Sequence, residues 1–204
     1  MEEKVHFHSD SLALEGLLSR AGGPKGAVVT HPHPLYGGDM HSNVVEAVAA
    51  AYGRAGFSTL RFNFRGVGRS EGAHDNGEGE QEDVKSALRF LAEEGASTLH
   101  LAGYSFGAWV NARVLQGPVD VEAVVMVAPP VDFMDFSFMR EDPRVRLVVT
   151  GERDDIAGAA QVRRLAPLWN PKVSLHIIPG ADHFYWNQLS ALRSILDGFL
   201  ADEG

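Results

Sequence analysis

The sequence predicts an α/β fold: a three-layer sandwich in which a mostly parallel central sheet carries helices on both faces. Three observations predict it. Strand-like and helix-like segments alternate along the chain. The central strand-like runs are nearly all apolar, as strands covered on both faces must be. Gly103-Tyr104-Ser105-Phe106-Gly107 reads Gly-x-Ser-x-Gly between an apolar run and a helical pattern, the form of a tight strand-to-helix turn. At 204 residues the chain suits one domain, 1–204, with a sizeable core, and is too short for two comfortable ones.

Each element has its own signal. Val5–Phe7 and Leu12–Leu18 form an opening hairpin, and GAVVT at Gly26–Thr30 is a short buried strand that runs into His31-Pro32-His33-Pro34. Val44–Ala55 is a helix with an Ala/Val face, and STLRFNF at Ser58–Phe64 alternates like a strand. Gln81–Glu94 places Val84, Leu88 and Leu91 at three- and four-residue steps, a helix face. Ser97–Ala102 is the strand entering the Gly-x-Ser-x-Gly turn. The helix leaving that turn ends at Gly117-Pro118, a Gly cap followed by Pro. Strands at Val121–Ala128, Val145–Thr150 and Val173–Ile178 then alternate with helices at Gly158–Leu168 and Leu189–Leu200.

Composition narrows the function classes. A formal net charge of −9 with no basic run excludes a phosphate-backbone partner, so no nucleic acid is expected. The absence of cysteine excludes disulfides, thiolate metal sites and a cysteine nucleophile. No segment approaches the ~18 apolar residues of a membrane helix, and the charged N-terminus MEEKVHFHSDS lacks a signal-peptide core. A soluble, cytoplasmic protein with no membrane partner is the expectation.

The glycine turn is the chemical signal. Such an elbow lifts a serine hydroxyl above the sheet, where a base and a carbonyl both reach it; its glycines are small because strand and helix approach closely. About one chain in ten of this Gly and Ser content would carry the pattern by chance, so the rest of the set decides. A serine hydroxyl needs a neutral imidazole as base and a carboxylate to orient it, in chain order Ser, acid, His. The acid slot follows the strand Val145–Thr150, where Glu152, Asp154 and Asp155 compete. The histidine slot follows the last strand and holds His183.

The segments HPHPLYGGDMHSNVV (His31–Val45), RFNFRGVGRSEG (Arg61–Gly72), GYSFGA (Gly103–Ala108), GERDDI (Gly151–Ile156) and PGADHF (Pro179–Phe184) resemble the α/β-hydrolase superfamily. They look most like a small, lidless subgroup with dienelactone-hydrolase-like or esterase-like members. The resemblance implies the α/β-hydrolase fold with no large lid domain and a Ser105–His183–Asp154 triad. Asp154 falls where the family's Gly-x-x-Asp places its acid, with Asp155 the alternative. The family's usual Pro a few residues on is replaced by Ala157-Gly158-Ala159, and serine stands where true dienelactone hydrolases carry cysteine.

An oxyanion needs backbone N–H donors. Phe106, after the nucleophile, supplies one. The loop after Gly26–Thr30 supplies the other; Pro32 and Pro34 have no N–H, leaving His33, Leu35 or Tyr36, and analogy with His-Gly-x loops favours His33 or Leu35. Gly37-Gly38 let that loop pass close to the substrate. Tyr36, Tyr104, Phe133, Phe136 and Phe184 are the candidate pocket wall. The Phe- and Met-rich run between Pro130 and Pro143, with Phe133, Met134, Phe136, Phe138 and Met139, reads either as that wall or as core packing under a loop, and Phe184, Tyr185 and Trp186 as the wall or a homodimer contact.

His31-x-His33, with Asp39 or His41, has the spacing of a metal pair, but the prolines argue for loop shaping and no metal is expected. Gly66-x-Gly68 with Gly72 is a poor dinucleotide fingerprint: an acidic loop holding Glu71, Asp75, Glu78 and Glu80 follows it instead of a helix. Arg65 and Arg69 are read as bracing that loop, and no cofactor is expected. The expected activity is cofactor-free hydrolysis of a small-molecule acyl substrate, an ester or thioester. The alternatives are a short-peptide or amide hydrolase, and a non-catalytic ligand-binding protein on the same fold.

Overall fold

The structure, a computed structural model, describes residues 1–202. Eight strands form one sheet: β1 (Glu2–Ser9), β2 (Leu12–Ser19), β3 (Lys25–Thr30), β4 (Ser58–Phe62), β5 (Thr98–Tyr104), β6 (Ala123–Val127), β7 (Val145–Gly151) and β8 (Ser174–Ile178). Their spatial order is β1-β2-β4-β3-β5-β6-β7-β8. β2 pairs antiparallel with β1 and with β4, and every later pairing is parallel.

Five helices cover it: α1 (Asn43–Arg54), α2 (Glu78–Glu93), α3 (Phe106–Val114), α4 (Ala159–Trp169) and α5 (Leu189–Asp202). α1 and α5 pack together on one face; α2, α3 and α4 lie on the other. The strand sequences dictate this. In β3, Val28 joins the core beneath α2 and α3, while Ala27 and Val29 join the core beneath α1 and α5. β6, AVVMV, is buried at every position. Each fully buried Val or Leu contributes about 1.5–3 kcal/mol, so both faces hold the sheet.

Several boundaries differ from those read in the sequence, two of them at helix ends with a local cause. α2 begins at Glu78, ahead of the first apolar step, so Glu78 and Glu80 belong to a helix and not to a loop. The acids are the reason: the buried Glu80 carboxylate accepts the Gly77 N–H at 2.8 Å and the Asp75 N–H at 2.9 Å, which caps the helix start. At the other boundary, α3 stops at Val114; residues up to Gly117 continue as tight turns, with the Gly117 N–H donating to Val114 O at 3.1 Å.

The hairpin and the β4 exit are tied to the site side of the sheet by charge. Arg65 makes a bidentate pair with the buried Asp83 of α2, at 2.7 Å from Nη2 to Oδ1. Arg69 is engaged differently from Arg65: its backbone N–H donates to Glu15 Oε1 at 2.7 Å.

Candidate active site

Ser105 sits between β5 and α3 with φ 53° and ψ −120°. A non-glycine residue is strained there, and the surroundings must enforce it. They do. A Cβ on Gly103 would lie 2.6 Å from Ala108 N, and one on Gly107 would lie 2.7 Å from the Thr30 carbonyl carbon. The Ser105 N–H donates to Val127 O of β6 at 2.9 Å. The turn is therefore clamped between α3, β3 and β6.

The other two side chains arrive from the ends of β7 and β8. Asp154 is buried, and its Oδ1 accepts the N–H groups of Ile156 at 2.9 Å and Ala157 at 2.7 Å. Its neighbour Asp155 is exposed. The loops carrying Asp154 and His183 touch directly: the Arg153 N–H donates to Ala181 O at 2.8 Å, and a Cβ on Gly151 would lie 2.3 Å from that same oxygen. Tyr104 Oη holds the His183 carbonyl at 2.9 Å, and burial pushes its phenol pKa up, keeping it a donor.

The structure brings all three together. His183 Nδ1 lies 2.9 Å from Asp154 Oδ2 and 3.0 Å from Oδ1; Nε2 lies 2.9 Å from Ser105 Oγ. A carboxylate can only accept, so Nδ1 carries the proton and Nε2 presents its lone pair to the serine hydroxyl. This arrangement can draw the proton from Oγ as it attacks a carbonyl.

Among the described residues, the N–H groups of Phe106 and His33 are spent on no hydrogen bond, and both residues line the cavity that holds Ser105. Leu35 is a correction: its N–H donates to His33 Nδ1 at 3.2 Å, so it has no free donor, and its side chain is exposed. Tyr36 likewise donates its N–H to His33 O at 3.1 Å. Gly37 and Gly38 chiefly shape the loop. Gly37 takes φ 80°, and a Cβ on Gly38 would lie 2.2 Å from Pro32 O.

His31 is a loop-shaping residue. Nε2 accepts the Phe64 N–H at 3.0 Å and Nδ1–H donates to Pro32 O at 2.6 Å, joining the exits of β3 and β4. Burial pulls its pKa down to about 4, so it stays neutral. His41 lies apart and exposed, 3.8 Å from Glu46. Among the described residues no three His, Asp or Glu side chains converge as a metal site.

The cavity over Ser105 measures about 580 Å³. Tyr36, Tyr104, Phe133 and Phe184 line it, as does Trp186. Phe136 is a correction: its ring stacks 5.2 Å from Trp169 of α4, buried in the core. Tyr185 too points into the core, beneath α5. Sequence reasoning missed Asn43 and Ile156 of the wall. It also missed His74, whose ring sits 4.9 Å from that of His33 and 5.5 Å from that of Phe106. The signal for His74 was its place in the glycine-rich loop whose helix start is capped by Glu80; His74 Nδ1 lies 2.7 Å from Glu80 Oε1, out of line for a hydrogen bond.

A family model described as serine aminopeptidase, S33, matches residues 24–146, which hold Ser105 and the His33 loop and stop short of Asp154 and His183. A protein of Rickettsia prowazekii described as uncharacterized is 33% identical over 209 residues, covering 97% of this chain and 88% of its own length. A solved α/β serine hydrolase homologue from Coxiella burnetii is 35% identical with a TM-score of 0.89, each chain covered to 96%. A Xanthomonas campestris protein described as an α/β serine hydrolase without lid is 30% identical with a TM-score of 0.90, covering 99% of this chain and 94% of that one.

Proposed function

The chain belongs to the serine aminopeptidase S33 family of α/β serine hydrolases, and from that premise we propose that it hydrolyses esters or thioesters of small acids through an acyl-enzyme, with Ser105 as nucleophile. The observation that carries this is the continuous chain from Asp154 through His183 to Ser105, with 2.9 Å at each link. His183 takes the Ser105 proton as Oγ attacks the acyl carbon. The Phe106 and His33 N–H groups receive the oxyanion, and the positive end of α3 favours its charge. The ester C–O or thioester C–S bond breaks, and His183 gives its proton to the departing alcohol or thiol. Water, activated by the same imidazole, then attacks the acyl carbon and releases the acid. Asp154 orients His183 and stabilises the imidazolium.

The ester reading is favoured over the aminopeptidase activity in the family's description by the lining. A peptide's free amino terminus is an ammonium, which needs an anionic partner when it leaves water. Among the described residues, no Asp or Glu lines the cavity.

A fluorophosphonate probe tests the mechanism, because it phosphonylates only an activated serine. Wild type takes up the label and Ser105→Ala does not. Failure of the wild type to label, or equal labelling of the variant, overturns the reading.

A further inference from the structure

Exposed large apolar side chains on this surface are concentrated at one place. Among the described residues there are seven, and four of them line the cavity over Ser105: Tyr36 (76% exposed), Phe133 (62%), Phe184 (51%) and Trp186 (71%). A fifth, Leu35, is the chain neighbour of Tyr36; only Met1 and Leu168 lie elsewhere. Scattered single apolar residues are ordinary, whereas a set gathered around a reactive group has a ligand to cover it.

The four rings form two pairs. Tyr36, from the loop after β3, meets Phe133, from the loop after β6, edge to face with centroids 6.3 Å apart. Phe184 and Trp186, from the segment between β8 and α5, lie 6.3 Å apart and tilted. Among the described residues, no Asp, Glu, Lys or Arg lines the cavity they border. Asn43 Nδ2, a polar group at this wall, is already committed to Phe184 O at 3.1 Å. The walls therefore offer ring faces and edges, and no opposite charge for an ionic group.

The cavity's 580 Å³ falls within the range of sites that enclose a drug-sized molecule. An acetyl group leaves most of it wet. The half-open rim also bears on the shape of the occupant. A flexible alkyl chain held from few sides loses its torsional freedom for little contact; a flat ring brings a large rigid surface with few torsions to freeze. Rings also gain from stacked and edge contacts beyond their buried area.

Building on the hydrolase reading above, we infer that this site takes uncharged aryl esters, with a ring of the substrate lying between the Tyr36–Phe133 pair and the Phe184–Trp186 pair.

Three methyl esters with acids of nine carbons each separate the possibilities: 3-phenylpropanoate, its α-ammonium analogue phenylalanine, and nonanoate. Phenyl acetate against hexyl acetate asks the same question of the alcohol half. Each kcat/KM is divided by that ester's rate with hydroxide, which removes intrinsic reactivity. The neutral aryl ester exceeds the ammonium analogue by about a hundredfold, the scale of burying an unpaired charge. It exceeds the alkyl ester by about threefold to tenfold, the scale of aromatic pairing. Trp186→Ala and Phe133→Ala lower the aryl-to-alkyl ratio. Equal rates for alkyl and aryl esters in both halves, a preference for the ammonium ester, or variants that slow every ester alike would overturn the aryl assignment. If Ser105 still takes the fluorophosphonate label in those cases, the hydrolase reading stands without it. If no ester turns over and no label is taken up, both fall together.

Discussion

Tyr104 Oη donates a 2.9 Å hydrogen bond to the backbone carbonyl of His183. Tyr104, the residue before Ser105, thus holds the main chain of His183, and the two rings lie 5.5 Å apart. The bond spans 79 residues of sequence and fixes how far β8's exit loop stands from the elbow.

Tyr104→Phe removes that bond and keeps the ring. The buried carbonyl loses its partner, so stability falls by about 1 kcal/mol. If the bond also aims His183, kcat falls by about threefold to tenfold while KM changes little, since an aiming error is felt mainly in the transition state. Denaturant unfolding and steady-state kinetics on one ester read both. An unchanged kcat would leave Tyr104 a packing residue only.

The acid assignment separates by charge removal alone. Asp154→Asn keeps shape but donates where a carboxylate must accept, leaving His183 in the wrong tautomer, and kcat falls by about a thousandfold or more. Asp155 is exposed and outside the pairing, so Asp155→Asn stays within about twofold of wild type. Similar small losses in both variants would show that neither orients the base.

His33 offers a way to test a backbone donor. Its φ is −59°, which a proline ring accommodates. His33→Pro deletes the N–H and the imidazole; His33→Ala deletes the imidazole alone. Loss of one oxyanion donor costs about a hundredfold to a thousandfold in kcat. His33→Pro falls by that much and His33→Ala by far less. Equal losses would move the role from the N–H to the ring, which is packed against Phe106 at 4.8 Å.

Stability depends on pH through the buried imidazoles. His31 and His100 are each pulled down by burial to about 4 from an ordinary 6.5. Below pH 6.5 the unfolded chain takes up a proton that the folded chain refuses until about pH 4. The stability held above 6.5 is therefore lost progressively as pH falls toward 4, by about 3 kcal/mol from the fully buried His31 alone. Urea midpoints at about pH 7 and pH 5, where most carboxylates stay ionised, fall accordingly. A constant midpoint would mean that these rings take up protons in the folded protein as readily as in the open chain.

The strand and helix order was legible because both faces of the sheet are covered, so apolar runs and helical steps repeat without ambiguity. The positions of Ser105, Asp154 and His183 were legible for a related reason: each follows a strand that those runs define. Two things were not. From Val131 to Met139 six of nine residues are apolar, and nothing local says that Phe136 turns toward Trp169 while Phe133 faces the cavity. Likewise, whether a loop N–H is free depends on a rotamer: the His33 ring consumes the Leu35 donor, which residue order cannot reveal. The start of α2 was hidden because its first turn is acidic and apolar spacing sees only the buried stripe.

The crowding around the elbow divides the molecule into a part that is closed to change and a part that is open to it. At Gly103 and Gly107 not even one methyl group fits, so the floor has a single composition compatible with its geometry. Tyr36, Phe133, Phe184 and Trp186 stand on loops with more than half their surface free, and replacing them strains nothing beneath. The rim can therefore change in composition while Ser105, Asp154 and His183 stay where they are.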